Sequence, residues 1–411
     1  MATHSRSPLA PERFPDMPAI AGVRLATGST GTRYKAREDL TLIELAPGTT
    51  AAGVFTRSKT ASPPVEWCRK HIKRGKARGV IVNAGNSNTF TGRAGHAAVA
   101  AEAAAVADQV GCAPGEVFVA STGVIGLKLP VEAITSLVPE LTRALSPNVW
   151  EHAAKAIMTT DTFPKGATRQ AKIGGTTVTI NGFAKGSGMI APDMATMLAF
   201  IFTDAKLPAA VLQKLLKDSN ERSFNCITVD GDTSTSDTAL LFATGQAANK
   251  RITGVGDRAL ADFRAKLDEV MRDLAHQIVR DGEGAQKFVT IEVSGAASAK
   301  AARKIGLTIG NSPLVKTALA AGDANWGRIV AAVGRAGEKA DRDKLVIRMG
   351  GHLVAAKGEA VPDFDETPVA EHLKGRDIRI AVDVGVGKGR ATVWTCDLTH
   401  AYIDINASYR S

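Results

Sequence analysis

The chain has 411 residues, of which 44% are hydrophobic and 22% charged, an ordinary globular composition with room for about two domains at ~150 residues each. Its formal net charge is +10, which by itself speaks to solubility and steering, and its 5% aromatic content argues against aromatic stacking platforms for single-stranded nucleic acid. The four cysteines are isolated, the eight histidines form no H-E-x-x-H, the N-terminus has no apolar h-region and no run approaches the ~18 apolar residues of a bilayer span, so a soluble, cytoplasmic chain without a metal motif is expected.

Residues 1 to about 20 are polar and Pro-rich and read as a tail or edge. From 21 to 55, short apolar runs such as Leu40-Thr-Leu-Ile-Glu-Leu45 alternate with Gly-rich turns, as strands of a sheet do. The densest basic cluster follows: Arg69, Lys70, His71, Lys73, Arg74, Lys76 and Arg78. A nucleic-acid patch and a solvated polar segment both fit it, the second being the commoner case. Residues 79–82 read as a strand leading into Asn83-Ala-Gly-Asn-Ser-Asn-Thr-Phe-Thr-Gly92, a loop at a sheet edge that serves either a site or plain turn chemistry.

Residues 97–110 predict a helix, with Gly111 as its C-cap. The strand at 116–120 runs into Ser121-Thr122-Gly123. A strand ending in Thr-Gly can leave backbone N–H groups pointing outward as an oxyanion hole, where one aimed donor is worth ~3 kcal/mol. A simple turn fits the same residues. Helices are expected over 131–145 and 149–158, then a polar ST-turn or helix end at Thr159-Thr-Asp-Thr-Phe-Pro-Lys165, then a strand over 175–180.

The stretch from Lys185 to Asp204 organises the rest. Gly186, Gly188 and Pro192 make its first half a tight loop, and Met197 to Phe202 is a wholly apolar run suited to a buried strand. Gly186-Ser-Gly188-Met-Ile-Ala191 matches a dinucleotide fingerprint, but a Pro and a strand-like run follow it where a helix is required. Thr196, behind the small Ala195, stands between loop and strand. Its hydroxyl is a weak nucleophile that the free α-amine of the same residue can activate, and that amine exists only after a chain break at Ala195-Thr196. An ordinary strand threonine is the alternative. Lys185, in the Gly-rich loop, can hold a carboxylate as a point charge, or sit on the surface.

Beyond it, 207–223 predicts an amphipathic helix, and Thr228 to Thr238 a tight turn with N-cap candidates before the apolar Ala239-Leu-Leu-Phe242. A long amphipathic helix over 257–279 ends at Arg280-Asp-Gly-Glu283-Gly284, where two glycines allow close approach of a ligand to Glu283 and its anion suits an amine; an exposed turn Glu fits too. An alternating strand at 287–293 opens a smaller α/β unit with helices at 297–305 and 312–321 and strands at 345–348, 377–382 and 391–395. Gly385-Val-Gly-Lys-Gly389 fails the phosphate-loop pattern and reads as a hairpin turn. The final residues, through Asn406 to Ser411, contain no Pro or Gly, and free ends are usually disordered unless tied down.

Lys185 to Asp204, together with the segments around Thr122-Gly123, Thr159, Glu283 and the C-terminus, resembles the ornithine acetyltransferase (glutamate N-acetyltransferase) family of arginine biosynthesis. The resemblance implies an α/β fold, a layered sandwich of N-terminal-nucleophile-like type over 1–284 with a smaller α/β domain over 285–411 whose tail returns to the site. It implies self-cleavage between Ala195 and Thr196 into segments 1–195 and 196–411, Thr196 as nucleophile and Thr122 and Gly123 as oxyanion donors. Substrate contacts would fall to Thr159, Lys185, Thr196, Glu283, Asn406 and Ser411; the family often ends in Thr, so Ser411 is a departure that keeps the hydroxyl. The implied reaction is ping-pong transfer of acetyl from N-acetylornithine to glutamate, with acetyl-CoA left open as a second donor and no metal or organic cofactor. Neither nucleic acid nor membrane is an implied partner, and the implied assembly is a dimer of cleaved pairs. Two rivals stand beside it: a related aminopeptidase that admits water to the acyl-enzyme, and a basic nucleic-acid-binding protein.

Overall fold

The computed structural model describes residues 5–191 and 197–408; Ala195, Thr196 and Ser411 lie outside the described residues. Two sheets lie face to face. The first has the order β1-β2-β4-β5, from β1 (Val23–Gly28), β2 (Leu40–Leu45), β4 (Gly79–Asn86) and β5 (Val117–Val124), with only the β4–β5 pair parallel. The second has the order β3-β9-β8-β7-β6, from β3 (Thr50–Phe55), β6 (Lys165–Ile173), β7 (Thr176–Lys185), β8 (Leu198–Thr203) and β9 (Thr238–Ala243).

The period-2 alternation of side chains sorts each strand between two cores. Ile43, Val80, Val82 and Phe118 of the first sheet meet Phe183, Phe200, Phe202 and Phe242 of the second, and α5 (Trp150–Ala156) inserts Trp150 among them. Phe202 is the hub, with ring centroids 5.6 Å from Trp150 and 5.4 Å from Phe242. The opposite faces are covered too. Leu40, Leu42, Ile81 and Val119 pack under α2 (Gly92–Val110), α3 (Val131–Thr135) and α4 (Val138–Arg143), while α1 (Pro63–His71) lies against β5. Ala199, Ile201 and Leu241 pack under α6 (Ala209–Asn220) and α7 (Ala261–Arg280). The result is the layered helix–sheet–sheet–helix sandwich expected, and a strand buried on both faces explains why β8 reads as an unbroken apolar run.

A third sheet has its own core and the order β13-β12-β11-β14-β10-β15. Its strands are β10 (Phe288–Ala296), β11 (Val346–Met349), β12 (His352–Ala356), β13 (Glu359–Ala360), β14 (Asp377–Asp383) and β15 (Gly389–Cys396). It is packed by α8 (Ala299–Gly310), α9 (Pro313–Ala321), α10 (Trp326–Gly334) and α11 (Thr367–Lys374), and α12 (His400–Ser408) follows β15. Among the described residues no helix is long and apolar enough to cross a membrane.

Four sequence expectations are corrected. The apolar run after Thr238 is strand β9, parallel to β8, so the preceding Ser and Thr residues cap no helix; a short apolar run does not distinguish the two by pattern. Gly385–Gly389 is no hairpin, because β14 and β15 pair with opposite edges of β10, β14 parallel and β15 antiparallel. The helix over 131–145 is broken into α3 and α4, with Pro139, which lacks an N–H, in the first turn of the second. The basic cluster is only partly a solvated segment. Arg69 and Arg78 donate to the carbonyls of Thr56, Leu45 and Val110, and His71 is buried against Trp67.

Candidate active site

The site is built where β7 ends. Lys185 is its last residue and is buried, 8% exposed, with Nζ 3.9 Å from Asp161 Oδ2. Asp161, in the turn after α5, collects donors: the backbone N–H of Gly186 at 2.6 Å and of Thr159 at 3.0 Å, and Lys165 Nζ at 2.7 Å. Lys165 also donates to Asp281 at 2.5 Å, and Asp281 accepts from Thr162 N at 2.9 Å. Lys165, Asp161 and Asp281 have fully buried side chains. Burial alone would push the carboxyl of Asp161 up, but Lys165 and Lys185 outweigh it and hold it well below the usual carboxylate range. Burial pushes Asp281 up to about 6. For Lys165, burial is overcome by the two aspartates and the ammonium is held firmly. Burial lowers Lys185, against the opposing pull of Asp161.

A second wall comes from the parallel pair β4–β5. Their register breaks opposite Gly85 and Asn86, where Gly123 packs backbone on backbone. With φ at +131°, and with any Cβ standing 2.3 Å from the carbonyl carbon of Gly85, position 123 admits only glycine. Thr122 and Gly123 sit inside β5 rather than in a turn beyond it. The asparagines of 83–92 do turn chemistry: Asn86 donates to the carbonyls of Leu127 and Lys128, and buried Asn88 to that of Gly95. Only Ser87 of that segment reaches the cavity.

The third wall is Glu283, in the turn after α7, 9% exposed. Its N–H donates to Ser187 O at 2.9 Å, which fixes its backbone to the central loop, and Asn406 Nδ2 of α12 donates to its Oε2 at 2.7 Å. Burial raises the Glu283 carboxyl, with hydrogen bonds from Asn406 and Thr160 opposing. Met189 and Ile190, just ahead of Ala191 where the described chain pauses, are gripped by Asp230, which accepts from Met189 N at 2.6 Å and Ile190 N at 2.8 Å, and Met189 has φ +55°. The Thr228–Thr238 stretch holds both flanks: Val229 N donates to Ile190 O, Thr233 Oγ1 to Ala191 O and Thr238 N to Met197 O.

One cavity is lined by Thr122, Gly123, Thr159, Lys185, Glu283 and Asn406, with Ser87, Thr160, Gly188, Met189 and Ser234–Ser236. Six of the residues picked from the sequence therefore converge, though they come from β5, the α5–β6 turn, β7, the turn after α7, and α12. The cavity presents one ammonium and one carboxylate, complementary to the two charges of an amino acid. Sequence reading missed Asp161, Lys165, Asp281 and Asp230, whose burial and pairing come from contacts distant in the chain such as Lys165 with Asp281.

With that geometry in place, likeness to known proteins is informative. The model of the ArgJ family matches residues 24–411. This chain belongs to the ArgJ family. It is 56% identical over 405 residues to the arginine biosynthesis bifunctional protein ArgJ of Gluconobacter oxydans, covering 98% of this chain and 95% of that protein. The Brucella suis protein of the same name is 54% identical over 410 residues, covering 99% of each. The crystallised ArgJ of Bacillus halodurans is 39% identical, with a TM-score of 0.48, covering 50% of this chain and 96% of that one.

Proposed function

We propose that the protein is an arginine-biosynthesis acetyltransferase that moves an acetyl group from N-acetylornithine to glutamate through acetyl-Thr196, after cutting itself between Ala195 and Thr196. The observation that carries the reading is the convergence of Thr122, Gly123, Thr159, Lys185, Glu283 and Asn406 on one cavity beside the loop that leads to Thr196. Membership in the ArgJ family supports it, and the word bifunctional in its relatives' names supports acetyl-CoA as a second donor.

In processing, Thr196 Oγ attacks the Ala195 carbonyl carbon, the C–N bond breaks to leave an ester and a free α-amine, and water cleaves the ester. The grip of Thr228–Thr238 on both Ile190 and Met197 keeps the two ends together. In transfer, Oγ attacks the acetyl carbonyl and gives its proton to the α-amine, which passes it to departing ornithine; the amine of glutamate then takes the acetyl group. Thr122 and Gly123 supply the oxyanion donors, Lys185 takes a substrate carboxylate and Glu283 an ammonium, with Thr159 and Ser411 as further contacts. In this scheme 1–284 supplies the chemistry, 285–411 returns its tail to the cavity, and two cleaved pairs form the assembly. Intact mass and N-terminal sequencing of wild type and Thr196→Ala test it. Wild type should give two pieces, the second starting Thr-Met-Leu, and the variant one unbroken, inactive chain. A fully active uncut wild type refutes the scheme.

A further inference from the structure

We propose that Asp161 is the positioning residue of this cavity: it fixes Lys185, Thr159 and Gly186 as one unit and supplies the negative charge that Lys185 faces. The inference rests on the reading that Lys185 receives a substrate carboxylate. Asp161 ties together two chain segments that meet at the cavity, the turn after α5 and the end of β7. Gly186 N and Thr159 N donate to its two oxygens, and Lys185 Nζ stands 3.9 Å from Oδ2. Asp161 is itself held from behind, because Lys165 Nζ bonds it at 2.7 Å and bonds Asp281 at 2.5 Å, with all three side chains out of water.

A buried ion set of this kind gives little net stability, since desolvation consumes most of the Coulomb gain. Its retention next to a ligand-binding lysine therefore asks for another use. Four groups act on the Lys185 ammonium: Asp161, Glu283 and Asp237 favour its charge, while Lys165 opposes it, as burial does. With Glu283 facing the ammonium of the substrate in this reading, Asp161, 3.9 Å from the Lys185 Nζ, is the foremost of the anions that keep Lys185 cationic, ahead of Asp237.

The test measures acetyl transfer from N-acetylornithine to glutamate as a function of pH in three variants. Asp161→Asn removes the charge and keeps one acceptor oxygen, so one of the two backbone N–H groups, that of Gly186 or that of Thr159, loses its partner as well. It should lower kcat/KM roughly 10- to 100-fold, mostly through KM, the scale of losing one charged hydrogen-bond partner. Its alkaline limb should move to lower pH, because Lys185 loses its proton more readily. Asp161→Glu keeps the charge and displaces it by one methylene, so kcat/KM should fall while the limb stays near that of wild type. Asp281→Asn leaves Asp161 in place and should leave the limb where it is. The inference fails if the Asp161→Asn limb coincides with wild type, or if Asp161→Glu has wild-type kcat/KM; this second outcome decides the matter should Asp161→Asn not fold. A Lys185→Met enzyme with wild-type kcat/KM would instead sink the reading of the site itself.

Discussion

Gly188→Ala isolates the contribution of Glu283 to the cavity. Gly188 has no positive φ, so alanine costs its backbone nothing, yet a Cβ there would stand 2.4 Å from the Cδ and Oε2 of Glu283. Non-bonded carbon contacts settle at ~3.5–4.0 Å, so the carboxylate must retreat by about 1 Å. The Glu283 backbone cannot supply that movement, because its N–H is bonded to Ser187 O at 2.9 Å, one residue from the substitution. The side chain must therefore swing, breaking the 2.7 Å bond from Asn406 and leaving the position where it meets a ligand. A displacement of about 1 Å at a binding group costs on the order of 100-fold in rate. Steady-state acetyl transfer and thermal melting, measured on the same preparation, check this: kcat/KM should drop about that far while the melting temperature stays within a few degrees. An active enzyme within twofold of wild type would refute the claim that Glu283 is held to one position between the central loop and α12.

Two further expectations follow from buried groups. Asn406→Ala removes a hydrogen bond that favours the ionised form of Glu283, so burial then lifts that carboxyl further and the acid limb of kcat/KM should move to higher pH; an acid limb that stays put contradicts the assignment of Asn406. Glu102 of α2 is fully buried, neither of its oxygens has a hydrogen-bond partner among the described residues, and burial pushes it from 4.5 up to about 8. A carboxyl raised on folding costs nothing below its unfolded value; the penalty grows between those two pH values and is complete above the upper one. That rise corresponds to on the order of 5 kcal/mol. Glu102→Gln should therefore gain on wild type in denaturant unfolding as pH goes from about 5 to about 8.5, and a constant difference would show that the carboxyl is not isolated.

How much of this was legible in the chain varies with the range of the interaction. The helix α2 with its Gly111 cap, the strand β2 and the buried β8 were readable because period and capping act within a few residues. The break at Pro139 was in plain view and outweighed by the apolar pattern around it. The strand β9 was mistaken because four apolar residues fit either element, and its pairing with β8 is a tertiary fact. The placing of β14 and β15 on opposite sides of β10 was likewise beyond any local pattern.

What the sequence determined by itself was an α/β class, because apolar period acts locally; its resemblance to one family carried the layered architecture, the family and the choice of Lys185 and Glu283 as candidate site residues. What only the folded chain decided was that they meet: Glu283 lies nearly a hundred residues from Lys185, and Asn406 further still, yet Asn406 bonds Glu283 at 2.7 Å. The buried Asp161–Lys165–Asp281 set belongs wholly to that second kind. Each of its charges, taken alone in the sequence, looks like a solvated surface group, and only the removal of water where the turn after α5, the start of β6 and the end of α7 meet turns them into an interacting site.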